Sequence, residues 1–214
     1  MMRARYVDEL ESVRQNLIAM GETTIALLAE GLRAVVNPSP DCAEKASELE
    51  ARTDHQHRLI HDQCLSLITL QSPVARDARL ITGALDAIVD LELIGDYAYE
   101  MVGLASAKSG RPPSQILVQI SEIGARIGEI LSAAIDSWRN ADRSLALSAR
   151  PREAVIRAEC QALADKVSRL TSAPGDVTAY VNLLLICRHL DRIMRHAVCV
   201  AEQAAEAAPP VPAG

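Results

Sequence analysis

Residues 81–102 read ITGALDAIVDLELIGDYAYEMV. Ile81, Leu85, Ile88, Gly95, Tyr99 and Val102 recur at three-, four- and seven-residue steps. That spacing marks one apolar stripe along an α-helix. Two acids interrupt the stripe. At about 100° per residue, Glu92 and Asp96 fall about 40° apart, and Ile81, Leu85, Ile88 and Tyr99 all fall within about 40° of Glu92. The two carboxylates therefore share the apolar face. Asp86 and Asp90 fall more than about 100° away and read as solvated. A carboxylate on an apolar stripe must be paired or coordinated, because an uncompensated buried charge is strongly destabilising.

The same helical period extends in both directions, punctuated by breakers. A first segment runs from about Tyr6 to Val36, with Leu10, Val13, Leu17, Met20, Thr24 and Leu28 in line, and stops at Asn37-Pro38-Ser39-Pro40. A second covers about Asp41 to Leu70, along Cys42, Ala46, Leu49, Ile60, Cys64 and Leu67. The third, which contains the opening stretch, spans about Val74 to Lys108. Ser109-Gly110-Arg111-Pro112-Pro113 then marks the main internal boundary. Beyond it the plan recurs: about Ser114–Asn140, about Ala141–Leu170 with an interruption expected at Pro151, and a last helix to about Ala207 with Asp176 as its N-cap. No segment alternates with period two, so no sheet is expected. The reading is all-α: two tandem pseudo-symmetric three-helix bundles made of six long antiparallel helices. Residues 1–110 and 111–208 form the two repeats, and 209–214 form a disordered tail.

Composition agrees. Of 214 residues 49% are hydrophobic but only 2% aromatic, with no Phe. Leu, Ile, Val, Ala and Met must fill the core, and Leu, Ala and Met are strong helix formers. The net charge of −6 disfavours nucleic acid as the main partner, since phosphate backbones attract basic faces. No apolar run is long enough to span a membrane. The first residues are charged and amphipathic without an apolar signal core, so a cytoplasmic location is expected. Five scattered cysteines without a CxxC pair read as buried, reduced thiols.

The second segment offers partners for the misplaced acids. Glu50, Asp54, His57 and His61 follow a +4, +3, +4 spacing within roughly 60° of arc. Glu50-x-x-x-Asp54 repeats the spacing of Glu92-x-x-x-Asp96. If the two helices pack antiparallel, four carboxylates and one or two imidazoles converge. Paired carboxylates on facing helices can bridge cations, and oxygen donors with an occasional imidazole suit Fe, Mn, Mg or Zn. The bland alternative is a wet acidic face, since such spacings also arise by chance. The second half keeps the plan with a change of chemistry. Glu153 is followed at i+4 by Arg157, and Asp191 by Arg195. Arg has no lone pair to give a cation. Glu153, Arg157, Asp191 and Arg195 are therefore expected to form a metal-free ion-pair cluster.

These residues carry a family resemblance. Ser72-Pro-Val-Ala-Arg-Asp-Ala-Arg79, followed by Asp90-Leu-Glu-Leu-Ile-Gly-Asp96, resembles the PhoU family, with its P-x-A-x-D-L-R helix start and D-L-E-R-I-G-D signature. Glu9 to Gly21 looks like that family's first helix, and His189-Leu-Asp-Arg-Ile193 to His196-Ala197 like a second copy of the signature. The departures are Leu93 for Arg, Ala78 for Leu, His57 for an acid, Met194 for Gly and Arg195 for the closing Asp. The resemblance implies metal clusters held by E/D-x-x-x-D motifs, which carries over to Glu50, Asp54, Glu92 and Asp96, with Asp191 matched as well. It also implies a negative regulator of phosphate uptake and signalling. Such a protein acts as an adaptor between a phosphate ABC transporter ATPase and a membrane sensor histidine kinase, and is compatible with a homodimer.

Nothing local suggests an enzyme. There is no phosphate-cradling Gly-rich loop, no HExxH and no nucleophile elbow. Two other classes stand beside the regulator. One is a carboxylate-bridged metal bundle for storage or redox work, which would favour Glu-x-x-His sets that are missing here. The other is a purely structural helical scaffold.

Overall fold

The computed structural model describes residues 2–71, 73–107, 112–170 and 177–208, and among them no strand occurs. Seven helices follow in chain order: α1 (Met2–Val36), α2 (Pro40–Gln71), α3 (Ala75–Ser106), α4 (Ser114–Asn140), α5 (Arg143–Leu147), α6 (Arg150–Leu170) and α7 (Val177–Ala207). Six are long, as the spacing of apolar residues predicts. The Asp176 cap, the tail 209–214 and most of the junction at 109–113 lie outside the described residues.

The expected single helix over 141–170 is two. Ala141 takes a left-handed conformation (φ 51°) and its amide closes α4 on the Ser137 carbonyl. Asp142 then caps α5, its carboxylate accepting from the Ser144 and Leu145 amides at 2.9 and 3.1 Å. The break before α6 falls at Ser148–Ala149, upstream of Pro151. Pro151 sits in the first turn of α6, where its missing N–H is not required.

α1, α2 and α3 pack on one another, as do α4, α6 and α7, with α5 filling the corner between α4 and α7. The two sets join through α3 against α7 and α1 against α4. Four helices thus lie side by side in the order α2, α3, α7, α6, with α1 and α4 behind them. Cross-links mark each step of that row: His57 to Glu92, Asp90 to His196, and Arg157 to Asp191. The stripes read from the sequence make the core: Leu10, Val13, Leu17, Met20, Thr24 and Leu28 of α1 are all buried, as are Ile81, Ile88 and Val102 of α3. The Thr24 hydroxyl donates to the Met20 carbonyl at 3.0 Å, so this buried polar group is satisfied. Tyr99, placed on the stripe by its angle, is instead 39% exposed.

Candidate functional site

The seam between α2 and α3 collects the acids. Glu50 and Asp54, one turn apart on α2, meet Asp96 of α3, and one carboxylate oxygen from each lies within 4.8 Å of the others. Glu92 does not join this trio. Its Oε2 lies 2.8 Å from His57 Nδ1, with both side chains half-buried. The edge of the His61 ring approaches His57 at 6.5 Å between centroids, while His61 itself is exposed. The five residues read as one ligand set therefore form two adjoining groups: a three-carboxylate cluster and an imidazole–carboxylate pair. Nor does Asp96 point into the core. It is exposed at the seam.

Electrostatics follow from this crowding. Burial raises the Glu50 carboxyl above the usual carboxylate range, and Asp54 adds to the rise. Burial also raises Asp96, followed by repulsion from Glu92, Asp54, Glu50 and Glu100. A divalent cation between the three carboxylates would reverse that repulsion, and hard oxygen donors suit it. The donor chemistry of Glu50, Asp54 and Asp96 fits such a group, with His57 holding Glu92 beside it.

At the matching seam between α6 and α7, guanidinium groups stand where the first repeat has acids. Arg157 Nε donates to Asp191 at 3.0 Å and its Nη1 to Glu153 at 3.4 Å. Arg195 Nη2 donates to the other Asp191 oxygen at 2.7 Å. Burial pushes the Asp191 carboxyl up, but the bonds from Arg195 and Arg157 outweigh it, and the group sits below its ordinary range. A depressed carboxylate contributes stability above its unfolded pKa and loses it as pH falls through the lower, folded value. Asp191→Asn should therefore destabilise the protein by about 1–2 kcal/mol at neutral pH. Denaturant titrations of both proteins should show the gap closing as the pH drops below the ordinary Asp value. A constant gap at every pH would refute the ion-pair account.

Sequence reasoning missed a third set. Asp90, read as solvated, faces α7: His196 Nδ1 lies 2.7 Å from Oδ1, and Gln203 Nε2 donates to Oδ2 at 2.8 Å. Tyr97 stacks on His189 at 5.5 Å and leans on His196 at 5.9 Å, with the Arg192 guanidinium 5.2 Å from its ring centre. His189 Nε2 reaches Glu100 at 3.2 Å. The partners are about a hundred residues apart, so no local spacing announces them. The one available signal was the half-apolar flank of α3 around Asp90, which a single-stripe reading assigns to water.

The thiols form no disulfide. Cys42, Cys64, Cys160 and Cys187 are buried and Cys199 partly so, all unbridged. Burial pushes Cys64 and Cys187 up to about 12 and Cys160 up to about 11, far from thiolate chemistry. Among the described residues, no helix is long and apolar enough to cross a membrane.

A family model described as the PhoU domain matches the chain twice, over residues 17–105 and 120–204. The phosphate-specific transport system accessory protein PhoU homolog of Pseudomonas aeruginosa is 27% identical over 197 residues, covering 91% of this chain and 81% of that protein. The Synechocystis homolog is 27% identical over 205 residues, covering 94% and 90%. The crystal structure of PhoU from Pseudomonas aeruginosa superposes with a TM-score of 0.86 at 25% identity, over 93% of this chain and 96% of that one. That of the phosphate transport system regulatory protein PhoU from Streptococcus pneumoniae gives 0.86 at 18% identity, a likeness of fold.

Proposed function

This chain belongs to the PhoU family, and from that membership we propose that it is an accessory regulator of phosphate transport that restrains uptake when phosphate is plentiful. It works as an adaptor on the cytoplasmic side, between the ATPase of a phosphate ABC transporter and the cytoplasmic part of a sensor histidine kinase. It turns over no substrate. The observation that carries this reading is the double match to the family along nearly the whole chain, with relatives named as accessory proteins of phosphate transport. The long outer faces of the helices suit docking, and the acids and imidazoles described above lie along seams at the surface.

Within the same proposal, Glu50, Asp54 and Asp96 hold a divalent or trivalent cation of the Fe, Zn, Mn or Mg class, with His57 and Glu92 beside them. Glu153 and Asp191 hold none, their place being filled by Arg157 and Arg195. The regulator also associates with a second copy of itself.

Affinity capture tests the central reading. The full chain, immobilised, should retain the purified transporter ATPase and the soluble kinase domain of its host. Failure to retain either one, with the protein folded by circular dichroism, would overturn it.

A further inference from the structure

Apolar side chains lie open on the first repeat, on the face shared by α2 and α3. Leu65 and Ile68 of α2 are 44% and 41% exposed, and Val89 of α3 is 47% exposed. They belong together in space. His57 meets Glu92, and Asp54 meets Asp96 in the carboxylate cluster, so α2 and α3 run antiparallel. Carried toward the C-terminal end of α2, that register sets His61 level with Val89, Leu65 with Leu85 and Ile68 with Thr82. Leu85 is partly buried and packs on the core. At about 100° per residue, Glu50, Asp54, His61, Leu65 and Ile68 fall within roughly 60° of one another on α2. On α3, Leu85, Val89, Glu92 and Asp96 span the same arc of about 60°. The apolar patch and the acids therefore share one face. Single exposed apolar residues are ordinary on any surface, whereas a patch rimmed by charge is the usual mark of a contact.

The charge around the patch selects what covers it. Glu50, Asp54, Glu92 and Asp96 continue the same face, and exposed Asp86 flanks it. Against these carboxylates stand the guanidinium of Arg58, exposed at the edge of the face, and the imidazoles of His57 and His61. His57 is already engaged with Glu92. A divalent cation in the Glu50, Asp54 and Asp96 cluster reduces the excess of negative charge and does not reverse it. Arg188, Arg192 and Arg195 belong to α7, on the far side of α3, and hold a cationic visitor to the α2 side. The same acids disfavour an anionic membrane surface.

We infer that this face receives a cationic amphipathic helix of a partner protein. Its apolar side chains rest on Leu65, Ile68, Leu85 and Val89, and its basic side chains reach over Glu50, Asp54 and Asp96. The bundle fixes the spacing. Leu65 and Asp54 are eleven residues apart on α2, as are Leu85 and Asp96 on α3. At 1.5 Å per residue that is about 16 Å along the axis, or about three helical turns. The visiting helix therefore carries apolar and basic residues on one face, about three turns apart. Apolar anchors hold such a helix in place, while opposite charge sets its direction and turns acidic segments away. The inference rests on the adaptor reading and names the surface, and the chemistry, by which one partner is held.

Fluorescence anisotropy on the full chain, with two labelled synthetic helices, tests it. Each helix has leucines at one end and lysines on the same face about three turns away, and the two differ in the order of these ends. One of them should bind, and its counterpart with glutamate in place of lysine should bind about tenfold more weakly or worse. Leu65→Ser with Val89→Ser should raise the dissociation constant about tenfold or more. Val181→Ser with Leu185→Ser, on α7, should leave it unchanged. All four positions are exposed, so both variants should keep the wild-type circular dichroism. Binding of neither lysine peptide overturns the surface. So does equal binding of the glutamate version, or an equal loss in the two variants. The adaptor reading is judged separately, by capture of the transporter ATPase and kinase domain. Wild-type capture by the Leu65→Ser, Val89→Ser protein would sink this surface and leave that reading standing, whereas absence of capture by the wild type would sink the reading itself.

Discussion

Asn at both Asp54 and Asp96 should abolish cation uptake and make the cation-free protein more resistant to heat than the wild type. The three-carboxylate cluster loses two of its anionic donors, and a neutral amide is a weak substitute for a carboxylate toward a hard cation. A cation held at about a hundred times its dissociation constant stabilises the fold by about 2.7 kcal/mol. The variant should lose all of that gain. Without cation the sign reverses. Asp96 and Glu50 sit above their ordinary range because burial and neighbouring acids disfavour their charged forms. A carboxylate whose folded pKa is raised costs stability as pH climbs from the unfolded value through the folded one, and the penalty persists at neutral pH. The amides carry no such penalty. Elemental analysis and thermal melts with and without added metal read both effects. Wild-type metal content in the double variant would remove these carboxylates from any cation site.

Gly31→Ala should lower the melting temperature by on the order of 5 °C in a chain of this size. A Cβ built on Gly31 would lie 2.7 Å from the backbone carbonyl oxygen of Ala98. That oxygen belongs to α3 and cannot rotate away as a side chain would, so α1 and α3 must separate along a tightly packed contact. Overpacking of this kind costs about 1–3 kcal/mol, against which the better helix propensity of Ala returns up to about 1 kcal/mol. Gly128 supplies the control. Nothing lies within 4 Å of its Cβ position, so Gly128→Ala should be neutral or mildly stabilising. Equal shifts from the two substitutions would show that the α1–α3 contact gives way more easily than its geometry implies.

Much of this architecture could be read from periodicity. The apolar lines of the first three helices, and the stops at Asn37-Pro38 and near Asn140, lie where local chemistry fixes them. The division of 141–170 was harder to see. Its cause is Ala141 in a left-handed conformation, and alanine gives no warning of that as glycine would. The candidate site was legible as residue types but not as a grouping. Glu92 and Asp96 share a helical face, yet α2 crosses α3 so that Asp96 joins Glu50 and Asp54 while Glu92 turns to His57. A helical wheel carries angles within one helix and nothing about the neighbour's height. Asp90 failed for a related reason. A one-stripe reading leaves a single face for packing, whereas α3 packs against α1, α2 and α7 at once.

The guanidinium groups of Arg157 and Arg195, fixed on Asp191, supply a tether that chelators and metal scarcity leave in place. The two halves should therefore feel the supply of metal unequally. If the cation proposed at Glu50, Asp54 and Asp96 were withdrawn, those carboxylates would repel one another across the α2–α3 seam, while Asp191 would keep both of its guanidinium partners.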